Sequence, residues 1–115
     1  MIRNFFFDYI YQIMKLLEIK KSTRAEKKWM AVFCKCNGET KCAPKDRQIV
    51  HFGASGYEDY TMHKDKNRRR LYRIRHDKEK NQQPNTPGAL SYHILWGESI
   101  SFDENVRMFK KKLSC

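Results

Sequence analysis

The residues best suited to chemistry are four histidines spread among carboxylates. The histidines are His51, His63, His76 and His93, and the acidic residues near them are Glu58, Asp59, Asp65 and Asp77. Histidine with carboxylates beside a β-hairpin is the general composition of a small metal-dependent nuclease. These spacings match no paired nuclease motif, and His and Asp at turns more often cap helices and bridge loops. We therefore predict no catalytic residue, no metal site and no cofactor.

The cysteines offer a second chemistry. Cys34, Cys36 and Cys42 follow a C-x-C-x5-C spacing, and Cys115 is the last residue. With His51 they would supply four ligands, but C-x-C is a poor zinc knuckle. On a strand Cys34 and Cys36 share a face, so they are not expected to bond each other. The spacing favours reduced thiols or one disulfide over a metal site.

A turn of unusual composition lies at the centre of the chain. Gly53 and Gly56 permit a tight exit from a strand, but their spacing is neither a Walker A loop nor a Rossmann fingerprint. The polar side chains that follow can bond the turn to itself. The expected structural turn comprises Gly53, Gly56, Tyr57, Asp59, Thr61, His63 and Asp65.

A cluster of cations follows this turn and is the strongest candidate for binding. It contains Lys66, Arg68, Arg69, Arg70, Arg73 and Arg75, in a chain of formal net charge +11. Successive residues of a helix are about 100° apart, so these side chains would cover most of its solvent side. Like charges at i,i+4 are destabilising unless a partner neutralises them. The cluster predicts an anionic partner, either DNA phosphates or the carboxylates of a protein.

Several elements would position these residues. Residues 28–36 and 48–52 read as strands and the segment between them as a polar loop. Asp65 is a plausible N-cap for a helix over 66–77, in which Leu71 and Ile74 form an apolar edge. Residues 78–87 read as a mobile loop. Pro87 would start a helix that Gly97 ends. Ser101 and Glu104 match a capping box before a last helix reaching about Lys112.

Residues 2–20 predict an amphipathic helix. Polar side chains recur at helical intervals (Asn4, Asp8, Gln12, Lys15, Glu18) on an otherwise apolar segment. The face expected to dock on a membrane or a protein subunit comprises Phe5, Phe6, Tyr9, Ile10, Ile13, Leu16 and Leu17. A signal peptide or a transmembrane helix fits poorly because charges interrupt the apolar run. Packing on protein and contact with a membrane surface both remain open.

These elements predict an α+β fold. A small antiparallel β-hairpin or sheet would pack with about three helices, preceded by a separate N-terminal amphipathic helix. The expected division is a helix over 1–20, a charged linker over 21–27 and a small basic domain over 28–115. At 115 residues one domain is the natural size, and a truncation lacking 1–20 is expected to fold.

The central motif resembles a family of small, basic, uncharacterised proteins of nucleocytoplasmic large DNA viruses. The matching residues are His-Phe-Gly at 51–53, Gly-Tyr-Glu-Asp-Tyr-Thr-Met-His-Lys-Asp at 56–65, the basic helix ending in Arg75-His76, Thr-Pro-Gly-Ala-Leu-Ser at 86–91 and Leu95-Trp96. The similarity extends over about residues 28–112. Residues 1–27 and the segment of Cys34, Cys36 and Cys42 lie outside the pattern.

The resemblance implies a non-enzymatic structural virion protein, a minor capsid protein that bridges or cements capsid components. It would be present in many copies in the capsid and in the host cytoplasm during assembly. Its partners would be major and minor capsid proteins, and residues 1–20 could contact the inner viral membrane. The alternative is a nucleic-acid-binding accessory protein for genome packaging or DNA metabolism. Without a zinc-finger, bZIP or RNA-recognition signature, such binding would be to the backbone of the nucleic acid.

Overall fold

A computed structural model describes residues 14–36 and 41–115 and shows an α+β fold. Three antiparallel strands, β1 (Met14–Lys21), β2 (Lys27–Lys35) and β3 (Arg47–Ala54), form a sheet in the order β1-β2-β3. The helices follow: α1 (Tyr60–His63), α2 (Lys66–Arg75), α3 (Pro87–Leu90), which continues as a π-helical segment (Ser91–Leu95), and α4 (Phe102–Lys111). Short 3-10 turns occupy Pro44–Asp46 and Asp77–Asn81. The predicted α+β class is confirmed.

One face of the sheet packs against the second half of the chain. Leu16, Phe33 and Phe52 project from the strands into a core that also contains Ile94 and Phe109. The central strand β2 is buried on both faces, as its continuous apolar sequence predicted. After β3 the Ser55 N–H donates to the Glu26 carbonyl at 3.0 Å and Asp59 lies 2.8 Å from Lys28 Nζ, so the turn that precedes α2 is attached to the start of β2.

The helix predicted over 2–20 is wrong where the structure describes it. Residues 14–21 form strand β1, with Met14 and Leu16 buried in the core. Pairing with β2 shifts register between Leu16 and Glu18, so Leu17 lies in a bulge. The bulge leaves the outward residues Lys15 and Glu18 three positions apart on the same face, an interval that is also typical of a helix. Residues 1–13 lie outside the described part.

The segment predicted as a charged linker belongs to the sheet instead. Residues 22–26 form the turn that joins β1 to β2, and Lys27 is already paired with Ala54 of β3. Residues 14–27 are thus continuous with the domain expected to begin at residue 28. Among the described residues, no helix is long and apolar enough to cross a bilayer.

The segment predicted as a mobile loop is also ordered. Residues 77–81 form a 3-10 turn and Pro84 is fully buried.

The N-cap predictions for α2 and α4 are confirmed. Asp65 accepts hydrogen bonds from the backbone N–H groups of Asn67 and Arg68, and Ser101 accepts one from Glu104. Only half of the capping box forms, because the Glu104 carboxylate pairs with Arg107.

Candidate functional site

The turn after β3 is held together by one buried carboxylate. Asp59 is 2% exposed and caps α1 by accepting from the Thr61 N–H and hydroxyl. Its second oxygen accepts from Lys28 Nζ at 2.8 Å, which ties the turn to β2. Such a buried pair is sensitive to the loss of either partner, because the remaining charge is left without compensation. Asp59 therefore fixes where the chain enters α1.

The other turn residues shape the backbone on either side of Asp59. Gly53 and Gly56 have positive φ values of 79° and 85°, the conformation for which glycine is suited. His63 Nδ1 accepts from the Asp65 N–H at 2.9 Å, so it helps to set the start of α2. The Tyr57 N–H donates to the Ala54 carbonyl at 3.4 Å and so takes part in the turn, while the residue is 73% exposed. The aromatic ring of Tyr57 is thus presented to solvent.

Helix α2 directs two arginines inward. Arg69 Nε donates to the carbonyl of Gly97 at 2.6 Å, and Arg73 Nη1 donates to the carbonyl of Trp96 at 2.8 Å. These carbonyls follow the C-terminal end of the π-helical segment, where backbone acceptors lack helical partners and attract cations. The Arg73 guanidinium also lies 4.2 Å from the centre of the Tyr92 ring. Burial lowers the pKa of Arg73.

Tyr72 lies between these arginines and completes the inward face of α2. Its ring stacks on Trp96 at 4.2 Å and on His76 at 4.1 Å between centroids. Burial, with smaller contributions from the charges of Glu79 and Asp59 and against a lowering by Arg75, raises the pKa of Tyr72 to about 12. The phenol therefore remains neutral at physiological pH.

The outward face of α2 carries the apolar residues. Leu71 is 39% exposed and Ile74 is 61% exposed, so the apolar edge predicted for this helix lies on its solvent side. By helical geometry Lys66 and Arg70 lie on one side of this pair, and Arg68 and Arg75 on the other. All four of these basic residues are exposed. We call Leu71, Ile74 and the four flanking cations the α2 face.

A cleft of about 540 Å³ lies beside the α2 face. Arg68, Leu71, Tyr72 and Arg75 line one side. The other lining residues come from β2, the end of β3, the turn, and the π-helical segment with its C-cap: Lys28, Gly53, Ala54, Tyr57, Glu58, Asp59, Ser91, Leu95 and Trp96. Lys28 pairs with Asp59, and Arg68 lies 3.9 Å from Glu58. Within residues 14–36 and 41–115, Arg75 has no ion-pair partner.

The histidines do not converge. His51 bonds Ser22 and His76 pairs with Glu79. His93 Nε2 lies 2.9 Å from the Lys80 carbonyl, and burial is the main cause of its lowered pKa. In the described part of the chain, no three His, Cys, Asp or Glu residues could hold a metal ion together. The described histidines and carboxylates thus do not form the cluster that a metal-dependent nuclease would use.

All four cysteines are in disulfides, where at most one bond was expected. Cys34 bonds Cys42, and Cys36 bonds Cys115. Cys34 and Cys36 do not bond each other, as their shared strand face predicted. The second bond fastens the C-terminus to the end of β2, a proximity that spacing along the chain does not reveal.

The predicted N-terminal docking residues are mostly outside the described part. This applies to Phe5, Phe6, Tyr9, Ile10 and Ile13. Leu16 is buried in the core and Leu17 is half-buried in the β1 bulge. The docking role predicted for Leu16 is therefore wrong, since strand pairing turns its side chain toward Phe33 and the helices.

Comparison with known proteins places the sequence in a family. Residues 17–76, just over half of the chain, match a family of unknown function (DUF5754). The chain belongs to this family. No curated protein and no solved structure matches it. The DUF5754 segment runs from β1 to the end of α2, so it includes the turn and the α2 face.

Residues beyond the DUF5754 segment complete the site. The carbonyl groups of Trp96 and Gly97 accept the hydrogen bonds of Arg73 and Arg69. Asn105 holds this region in place. Asn105 is buried, donates to the carbonyls of Ile94 and Ser99 and accepts from the Ser99 N–H. Sequence reasoning missed Asn105. The available signal was a polar residue four positions after Ser101, between Phe102 and Phe109 on an amphipathic helix. A polar side chain buried at such a position is expected to be hydrogen-bonded.

Proposed function

We propose that this DUF5754 protein is a non-enzymatic structural component of a large DNA virus particle, a minor capsid protein that bridges or cements other capsid proteins. The α2 face is proposed as its docking surface for an acidic region of a capsid partner. It would act in the virion after assembly in the host cytoplasm. The viral setting rests on the motif resemblance, and the docking role rests on the α2 face.

The single observation that supports docking is the inversion of α2. An ordinary surface helix buries its apolar residues and exposes its charges. Here Arg69 and Arg73 are directed inward, while Leu71 and Ile74 lie at the centre of the exposed side. Apolar residues within a basic surround match a protein interface, which has an apolar centre, a polar rim and frequent arginine. A phosphate backbone would make little use of the apolar pair.

A count on purified particles tests the proposal. Quantitative mass spectrometry before and after detergent stripping should find the protein with the capsid shell, at many copies in fixed ratio to the major coat protein. Leu71→Ser with Ile74→Ser should reduce incorporation into particles. Lys64→Ser lies just before α2 and serves as a control that should incorporate normally. Release with the genome core, or absence from particles, would refute the capsid function.

The N-terminal segment is a second proposed contact. We infer that the predicted amphipathic helix, now restricted to residues 2–13, docks on a neighbouring capsid subunit or the inner viral membrane. Support comes from its aromatic composition and the spacing of Asn4, Asp8 and Gln12. Removing residues 1–13 should leave the sheet intact and weaken retention in particles. Flotation of the full chain with anionic vesicles distinguishes the membrane from a protein partner.

Nucleic-acid binding is the alternative function. The exposed cations of α2 and the net charge of +11 favour it. Arg70→Glu with Arg75→Glu should abolish DNA retention in that case, whereas the Leu71/Ile74 double variant should retain DNA normally. Under the capsid proposal both double variants impair assembly.

A further inference from the structure

We propose that the cleft between α2 and the turn after β3 binds an extended acidic peptide segment that carries one aromatic or large aliphatic anchor residue. This inference rests on the proposed function, because the segment would belong to the capsid partner that docks on the α2 face. It adds the site and the chemistry by which that partner is recognised.

The walls of the cleft fit an apolar anchor. Leu71, Tyr72 and Trp96 line it together with the exposed ring of Tyr57. Its volume of about 540 Å³ falls in the range of about 300–1,000 Å³ that is usual for ligand pockets. Tyr72 is held by stacking on Trp96, so this wall is fixed before a ligand arrives. A preformed wall lowers the entropic cost of binding.

The charges around the cleft fit carboxylates on the ligand. Arg68 and Arg75 are seven residues apart on α2, so they lie on one side about 10 Å apart. Arg68 has only a long contact with the exposed Glu58, and Arg75 has no ion-pair partner in the described ranges. Guanidinium groups bind carboxylates bidentately. In an extended segment of the polyproline II type, which rises about 3.1 Å per residue with three residues per turn, carboxylates three positions apart lie on one side about 9 Å apart and would reach both arginines.

The separation of the arginines therefore defines a ligand pattern. One acidic residue pairs with Arg68 and a second, about three positions along, pairs with Arg75. The residue between them that faces the cleft supplies the anchor against Tyr57 and Leu71. The lysine on the lining, Lys28, is already neutralised by Asp59 and contributes no free charge.

Fluorescence anisotropy with the full oxidised chain tests this. The probe is a labelled peptide with two aspartates three positions apart and a phenylalanine between them. Replacing the phenylalanine by glycine should weaken binding about tenfold, as for an interface hot spot. Replacing both aspartates by asparagine should abolish the salt dependence.

Variants of the protein locate the binding. Arg75→Glu and Tyr57→Ala change exposed residues of the cleft, and each should weaken the aspartate–phenylalanine peptide about tenfold or more. Arg70→Glu makes the same charge change on the opposite side of α2 and should cost less than about threefold. Equal losses for Arg70→Glu and Arg75→Glu, or no loss when the anchor is removed, would overturn the proposal.

Three further outcomes distinguish failure of the cleft proposal from failure of the proposed capsid function. If a single-stranded oligonucleotide binds more tightly than the peptide and depends equally on Arg75 and Tyr57, the cleft is a nucleic-acid site and the peptide proposal is wrong. If the peptide fails while the protein remains in the capsid shell and the α2 face is needed for assembly, only the cleft proposal fails. Absence from particles with intact peptide binding would refute the capsid function alone.

Discussion

The long-range disulfide should contribute more stability than the short one. Cys36–Cys115 closes a sequence separation of 79, whereas Cys34–Cys42 closes a separation of 8. In the chain-entropy model a cross-link stabilises by restricting the unfolded chain, and the effect grows with the logarithm of loop length. The two separations correspond to about 4.5 and about 2.5 kcal/mol at 25 °C.

The perturbation is removal of each pair by alanine substitution. Unfolding entropy is about 2.1 cal/mol/K per residue, which for 115 residues gives about 0.24 kcal/mol per degree. The expected decrease in Tm is therefore about 19 °C for Cys36→Ala with Cys115→Ala, and about 10 °C for Cys34→Ala with Cys42→Ala. Cys34 is buried, so its replacement by alanine also removes packing contacts. This additional loss lowers the Tm of the short-loop variant and makes the difference in Tm between the two variants smaller.

Guanidinium denaturation followed by tryptophan fluorescence, without reductant, measures both variants against the parent. Calorimetry on the same samples gives the Tm. Equal losses, or a larger loss from the short loop after allowing about 1 kcal/mol for the alanine at the buried position, would refute the entropic reasoning. If reductant leaves the unfolding free energy and Tm of the parent protein unchanged, the two disulfide assignments are wrong.

Three further predictions concern the fold and the site. Leu16→Ala should cost about 2–5 kcal/mol in denaturant unfolding because Leu16 is buried in the core, whereas Leu71→Ala should change stability by no more than about 0.5 kcal/mol; equal effects would contradict the strand assignment of β1. Asn105→Ala should cost about 2–4 kcal/mol by leaving backbone groups of Ser99 and Ile94 unpaired, and a neutral result by chemical denaturation would contradict this. Since the folded-state pKa of His93 is depressed, the contribution of the neutral imidazole to folding stability is present above the unfolded pKa of about 6.5 and is lost as the pH falls below it. His93→Gln should therefore flatten that part of the curve of unfolding free energy against pH. An unchanged curve would refute the depressed pKa of His93.

Local signals predicted much of this fold. The apolar run of β2 and the side-chain caps Asp65 and Ser101 place their elements within a residue or two. Each of these signals acts over a few neighbouring residues, where strand burial and cap hydrogen bonds are determined. The turn around Asp59 was likewise expected to bond to itself, although its ion pair with Lys28 spans 31 positions and was not expected.

The errors share a different cause. The β1 bulge at Leu17 alters the spacing of inward residues, and a period measured across it is no longer that of a strand. The pairing of Cys36 with Cys115 depends on where the last helix returns the chain. The register shift and this return are properties of the assembled sheet and core, which a window of sequence does not contain.

The orientation of α2 follows from the same principle and explains why its basic sequence was hard to interpret. Its sequence predicted an apolar edge at Leu71 and Ile74 but not the direction in which that edge faces. The acceptors that turn the helix over are the carbonyls of Trp96 and Gly97, more than 20 residues away, where the π-helical segment ends. Charge-assisted bonds from Arg69 and Arg73 to these acceptors, with stacking of Tyr72 on Trp96, hold the helix in the orientation that leaves two aliphatic side chains in solvent. Exposure of the aliphatic pair Leu71 and Ile74 to solvent contributes nothing to the stability of the folded protein. We therefore infer that a partner covers this pair when it binds.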